Sequence, residues 1–177
     1  MESQFYHNVV QKLQNLGFRI NWTLLKVGYE GQTFLPKLIS FKEISQYSEH
    51  LVETMESEYD LIAQLICPTD ELEFLEILEK LARSENVDKT IQLRKLRILF
   101  VLEALEDLPV DYFNGLLALA DLWITLGFPE DSPHDFQGRN NLYSPQEYYT
   151  REVFDSLLCK NKQWVKSEIE YIKSHDK

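Results

Sequence analysis

Lysine and arginine are missing from the whole of residues 43–79, a run that holds eleven carboxylates. The net charge of −11 comes from this stretch, because the remaining 18 acids are matched by the 18 basic residues of the chain. Binding to DNA or RNA needs clustered Lys and Arg to neutralise phosphates, so the distribution points away from a direct nucleic-acid ligand. Six glycines and six prolines are too few for the many tight turns of an all-β protein. The two cysteines, Cys67 and Cys159, stand alone with no CxxC or Cys/His cluster. They are therefore predicted to be reduced, buried, small hydrophobes. Met1-Glu2-Ser3-Gln4-Phe5 lacks the basic-then-apolar layout of a secretory signal, which predicts a cytoplasmic protein. A membrane span is not expected either. Ile91–Leu108 is interrupted by Arg94, Lys95, Arg97 and Glu103, and Tyr112–Leu126 is only 15 residues long and holds Asp121. A bilayer needs about 20 apolar residues in a row.

What the sequence does have is helical punctuation. Phe5, Val9, Leu13 and Leu16 form one apolar stripe from about Ser3, and Gly17 stops it. Asn21 caps a short helix over Trp22–Tyr29. Ser40 and Glu43 make a capping box that opens a helix carrying Phe41, Ile44, Tyr47, Leu51 and Met55 on one side. Residues 58–66 either continue that helix or begin another, and Cys67-Pro68 breaks the run. Thr69-Asp70-Glu71 starts a helix to Arg83, Ser84–Val87 is a polar loop, and Asp88 caps a long helix. Ile98–Leu102 is apolar in every direction, as in a helix inside a bundle. Arg94, Lys95 and Arg97 require the first half of that helix to reach the surface. Pro109 and Asp111 separate it from a second apolar helix, which ends at Gly127. The expected centre is this buried hairpin. Ser144-Pro145-Gln146-Glu147 then opens a final helix or helix pair. The predicted fold class is all-α: a single helical domain over 1–177, a bundle of six to seven helices or HEAT-like stacked hairpins.

Chemistry-bearing motifs are sparse. GxSxG, GxGxxG and GxxxxGK[ST] do not occur, and no His is followed by His or Cys at helical metal-binding spacing. His134-Asp135, with Glu130 and Asp131, is the one grouping with metal-ligand character, and a hydrated loop accounts for it more simply. Cys159 and His175 are 16 positions apart, the latter in an expected frayed tail, and do not read as a nucleophilic pair. Asp121 lies in the apolar run Leu119-Ala120-Asp121-Leu122-Trp123, where an unpaired carboxylate would be costly. A facing Arg94 or Arg97, or a solvent-exposed stripe, explains it. No catalytic residue, cofactor or metal is assigned.

Asn21-Trp22-Thr23-Leu24-Leu25-Lys26-Val27-Gly28-Tyr29, followed by the Ser40 helix, resembles a bacterial family of small helical proteins with no assigned function. The similarity extends through the Leu-rich central helices, Gly127-Phe128-Pro129-Glu130 and the Trp164 helix. In size and acidity the chain also resembles immunity proteins of polymorphic and contact-dependent toxin systems. That resemblance implies a non-catalytic protein-binding protein whose acidic surface meets a basic toxin domain. The partner-binding candidates are Glu49, Glu53, Glu56, Glu58, Asp60, Asp70, Glu73 and Glu76. Two other readings stay open: an enzyme with a carboxylate-containing pocket near Asp121 or the 130–143 loop, and a helical scaffold or adaptor.

Overall fold

A computed structural model describes residues 8–53, 59–137 and 143–176. The expected contributions of Phe5, Met55, Glu56 and Glu58 lie outside the described residues. Among those described, the chain is all-helical: α1 Val9–Asn15, α2 Trp22–Glu30, α3 Phe41–Val52, α4 Tyr59–Ile66, α5 Glu71–Ser84, α6 Lys89–Glu106, α7 Tyr112–Thr125, α8 Pro145–Tyr148 and α9 Arg151–His175. The only β pairing there is an isolated bridge between Gln32 and Leu35. Among the described residues there are nine helices, where six or seven were expected for the chain. Residues 59–66 form a helix of their own, and the helix opened by Pro145 ends after one turn, before α9 begins. α9 also runs through His175, where a frayed tail was expected.

The boundaries follow local chemistry. Ser40 Oγ accepts from the Glu43 backbone N–H at 3.3 Å, and the Glu43 carboxylate accepts from Ser40 N–H at 3.0 Å. Ser144 and Glu147 repeat the arrangement with Pro145 at the first helical position. Asn21, Asp70 and Asp111 each accept an N–H three residues on. Gly17 and Gly127 hold φ of 80° and 73°, the left-handed conformation that ends a helix cheaply only at glycine.

The chain divides into two compact units, Met1–Leu96 with Ile172–Lys177, and Arg97–Tyr171. In the first, α3 packs on α4, α4 on α5, α2 on α5 and α1 on α3. Its core holds Leu13, Leu24, Ile44, Leu65, Leu78 and Leu96. Gly28 is required there, because a Cβ would stand 2.6 Å from Ile39 Cδ1. The Gly28 carbonyl accepts from both Leu38 and Ile39 N–H. Glu85 is the second device of this unit. Its carboxylate accepts from Trp22 and Thr23 N–H at 3.0 and 2.9 Å, adding negative charge at the α2 N-terminus. The expected polar loop at Ser84–Val87 is thus also a long-range cap.

The second unit is centred on Leu116, Leu119, Tyr148, Phe154 and Leu157. Trp123 Nε1 donates to Asn161 Oδ1 at 2.8 Å, and Asn161 donates on to the Leu157 carbonyl. Arg97 donates to both Asp131 oxygens, bonds Glu168 at 3.0 Å, and lies over the Trp164 ring.

Three expectations are corrected. The α7 helix is buried on one side only: Phe113, Leu117 and Ile124 are 47%, 43% and 52% exposed. Apolar composition alone does not say how many sides of a helix are covered. Lys95 does not reach the surface. It is fully buried, with Nζ 2.6 Å from Asp176 Oδ1 and donating to the Arg19 carbonyl at 2.7 Å. Both cysteines are free and exposed, Cys67 just beyond α4 and Cys159 on an outward position of α9.

Candidate partner-binding surface

The carboxylates of residues 43–79 separate into two kinds once their partners are known. Glu43 is buried, accepting from Val9 N–H at 2.6 Å through one oxygen and from Ser40 through the other. It is a structural cap and presents no charge to a partner. Glu79 bridges Lys26 and Arg83 at 3.0 and 2.6 Å, and these cations hold its carboxyl below the usual range. Glu73 accepts from Thr69 Oγ1 and N–H, both at 2.6 Å, which lowers its pKa in the same way. Asp70 is the α5 N-cap, and Glu71 accepts from Tyr29 OH at 3.1 Å.

Glu49, Glu53, Asp60 and Glu76 are different. All four are exposed, and among the described residues none of them makes an ion pair. Glu49 and Glu53 are one helical turn apart, so they share a side of α3 and its C-cap. Asp60 lies in the first turn of α4, and Glu76 is on α5. Of the eight expected partner-binding residues, these four are unengaged. Asp70 and Glu73 have structural roles as well, and Glu56 and Glu58 are outside the described residues. The sequence could not make this division, because Glu43 and Glu76 look alike until the chain supplies or withholds a partner.

The places considered for an enzyme have a different character. Asp121 is exposed, on the outer side of α7 near Leu117 and Ile124, so its carboxylate remains hydrated. In the 130–143 loop the candidate ligands diverge: Asp131 goes to Arg97, and Asp135 pairs with Lys160 at 2.6 Å. His134 is buried, edge-on to Phe136, with Nε2 3.2 Å from Tyr148 OH. The Tyr148 hydroxyl donates to the Asp135 carbonyl, so its bond with His134 requires the Nε2–H tautomer. Among the described residues the buried Nδ1 has no hydrogen-bond partner. Burial pushes His134 down to about 4 and Tyr148 up to about 12. Both are neutral near pH 7, and they lock the first half of the loop to α8. Among the described residues no group of three His, Cys, Asp or Glu side chains could hold a metal ion. The lowered carboxyl pKa values of Asp111 and Glu147 arise from hydrogen bonds at helix starts. No described helix is long and apolar enough to cross a membrane.

A concavity of about 350 Å³ lies beside the acidic positions of α5, lined by Tyr29, Phe41, Pro68, Asp70, Glu71 and Phe74. The Phe74 ring is at its base, with Tyr29 and Phe41 both at 5.0 Å between centroids and edge-on. Phe41 was legible in sequence only as a member of an apolar stripe. Its meeting with rings from α2 and α5 depends on the tertiary packing.

Among the described residues the protein is all-α, and Glu49, Glu53, Asp60 and Glu76 on its helices and their ends are exposed without an ion-pair partner. The chain belongs to a bacterial family described as "Uncharacterized protein conserved in bacteria (DUF2247)", which matches residues 10–169. No curated protein and no solved structure matches it.

Proposed function

We propose that this is a non-catalytic, immunity-type protein of the bacterial cytoplasm that neutralises a basic partner toxin through its acidic surface. The observation that carries this reading is that Glu49, Glu53, Asp60 and Glu76 are exposed and unpaired in a stretch without a single Lys or Arg. An unbalanced field of one sign speeds encounter with an oppositely charged partner and discriminates against others. Toxins that act on nucleic acid present basic substrate-binding surfaces, which such a field would occlude. In this reading the helices serve as a rigid support, arranged as a bundle or as stacked hairpins, and the chain does no chemistry of its own.

The test is charge reversal at the four unengaged positions, Glu49→Lys, Glu53→Lys, Asp60→Lys and Glu76→Lys together, sparing the caps. Binding to the protein encoded by the neighbouring gene is measured across a range of salt concentrations. The expected result is a loss of about tenfold or more with a flattened salt dependence. Unchanged affinity and salt slope would refute the electrostatic reading.

A further inference from the structure

We propose that the concavity lined by Tyr29, Phe41, Pro68, Asp70, Glu71 and Phe74 receives the side chain of an arginine presented by a protein partner. The inference rests on the acidic-surface reading and assigns it a particular docking point. Three rings from α2, α3 and α5 form the apolar part, and the Asp70 and Glu71 carboxylates flank it. Aromatic faces attract cations, and a planar guanidinium can stack on a ring while its N–H fork meets a carboxylate. An ammonium has no such plane, and a neutral amide gains little from either partner.

The ring set already holds one cation of the chain itself, because Lys37 Nζ sits 5.3 Å from the Tyr29 centroid. Tyr29 OH donates to Glu71 Oε1 at 3.1 Å, which fixes ring and carboxylate together, and the second Glu71 oxygen can accept from a partner. Asp70 Oδ1 accepts from Glu73 N–H, again with a second oxygen left on the carboxylate. Among the described residues no cation pairs with Asp70 or Glu71. The α5 N-terminus contributes roughly half a positive charge at this point, and the acids Asp70, Glu71 and Glu73 outweigh it. The concavity is shallow and open, and Leu72 beside it is 67% exposed, which suits a side chain delivered from a covering protein surface.

The test uses the full chain and two probe peptides, acetyl-Gly-Arg-Gly-amide and its citrulline isostere, which keeps the shape and removes the charge. Aromatic ring resonances are followed by NMR during titration. The arginine peptide should shift the Tyr29 and Phe41 rings saturably and bind about fivefold or more tighter than the citrulline peptide. Glu71→Gln, which retains an acceptor for Tyr29, and Phe41→Leu should each weaken the arginine response by about threefold. Equal responses to the two peptides, or shifts that avoid these rings, would overturn the proposal on the wild-type chain alone. The fourfold charge-reversed variant keeps all six lining residues. An intact arginine response beside unchanged partner affinity would leave this site standing while the acidic-surface reading fails.

Discussion

Replacing Asp176 by Asn should destabilise the protein strongly and in a pH-dependent way. In the folded state Lys95 is fully buried, and its ammonium has the Asp176 carboxylate at 2.6 Å and the Arg19 carbonyl at 2.7 Å. The other Asp176 oxygen accepts from Arg19 N–H at 3.0 Å. Removing one member of a buried ion pair costs about 3–5 kcal/mol, because the other charge is left uncompensated. Asn retains a carbonyl oxygen for Lys95, which places the expected loss near about 3 kcal/mol. For a chain of this length that is a fall in Tm of about 6–12 °C. Burial already holds the Lys95 pKa below its ordinary 10.5, against the upward pull of Asp176. Between the folded pKa and 10.5 the unfolded chain binds more protons, so this residue makes stability rise with pH across that window. Asp176→Asn removes the upward pull and widens the window, so the deficit of the variant should shrink as the solution is made alkaline. Urea unfolding followed by tryptophan fluorescence and circular dichroism, at several pH values up to 10.5, measures both effects. A deficit under about 1 kcal/mol, or one that stays constant with pH, would refute the buried-charge argument. Lys95→Met combined with Asp176→Asn removes both charges of the pair and should cost less than Asp176→Asn alone.

Leu99, which is buried, should lose about 2–5 kcal/mol on replacement by Ala; a loss under about 1 in urea unfolding would show that this part of α6 is not core. Gly115→Ala places a Cβ 2.4 Å from Phe154 Cε2 and should cost about 1–3 kcal/mol through displacement of that ring. Replacing Phe154 by Leu in the same chain should recover part of the loss. His134, with a folded pKa of about 4 against 6.5, should be neutral in the folded state through the range where the unfolded chain protonates. Its contribution is complete above 6.5 and is lost as pH falls from 6.5 to 4, amounting to about 3 kcal/mol. The difference in stability between wild type and His134→Gln, measured over that interval, should carry this slope.

Helix starts and stops were legible from a few neighbouring residues. Ser40 with Glu43, Ser144 with Glu147, Asn21 and Asp111 all cap as their spacing predicts, and Gly17 and Gly127 turn left-handed where the apolar stripes end. These devices act over one turn of chain, so the information needed is local. Membership in a uniformly helical architecture follows from the same signals.

Tertiary structure decided everything that required a distant partner. The burial of Lys95 depends on Asp176, and the cap on α2 comes from Glu85, which lies 63 positions beyond Trp22. Neither pairing leaves a trace in periodicity. The exposed side of α7 was equally hidden, since its apolar residues look the same whether or not another helix covers them. For the candidate surface the sequence alone determined the charge imbalance of residues 43–79. The structure determined its use, spending Glu43 and Glu79 on internal partners and leaving Glu49, Glu53, Asp60 and Glu76 to solvent. A carboxylate's role depends on what donates to it, and in a folded chain that donor can come from any distance along the sequence.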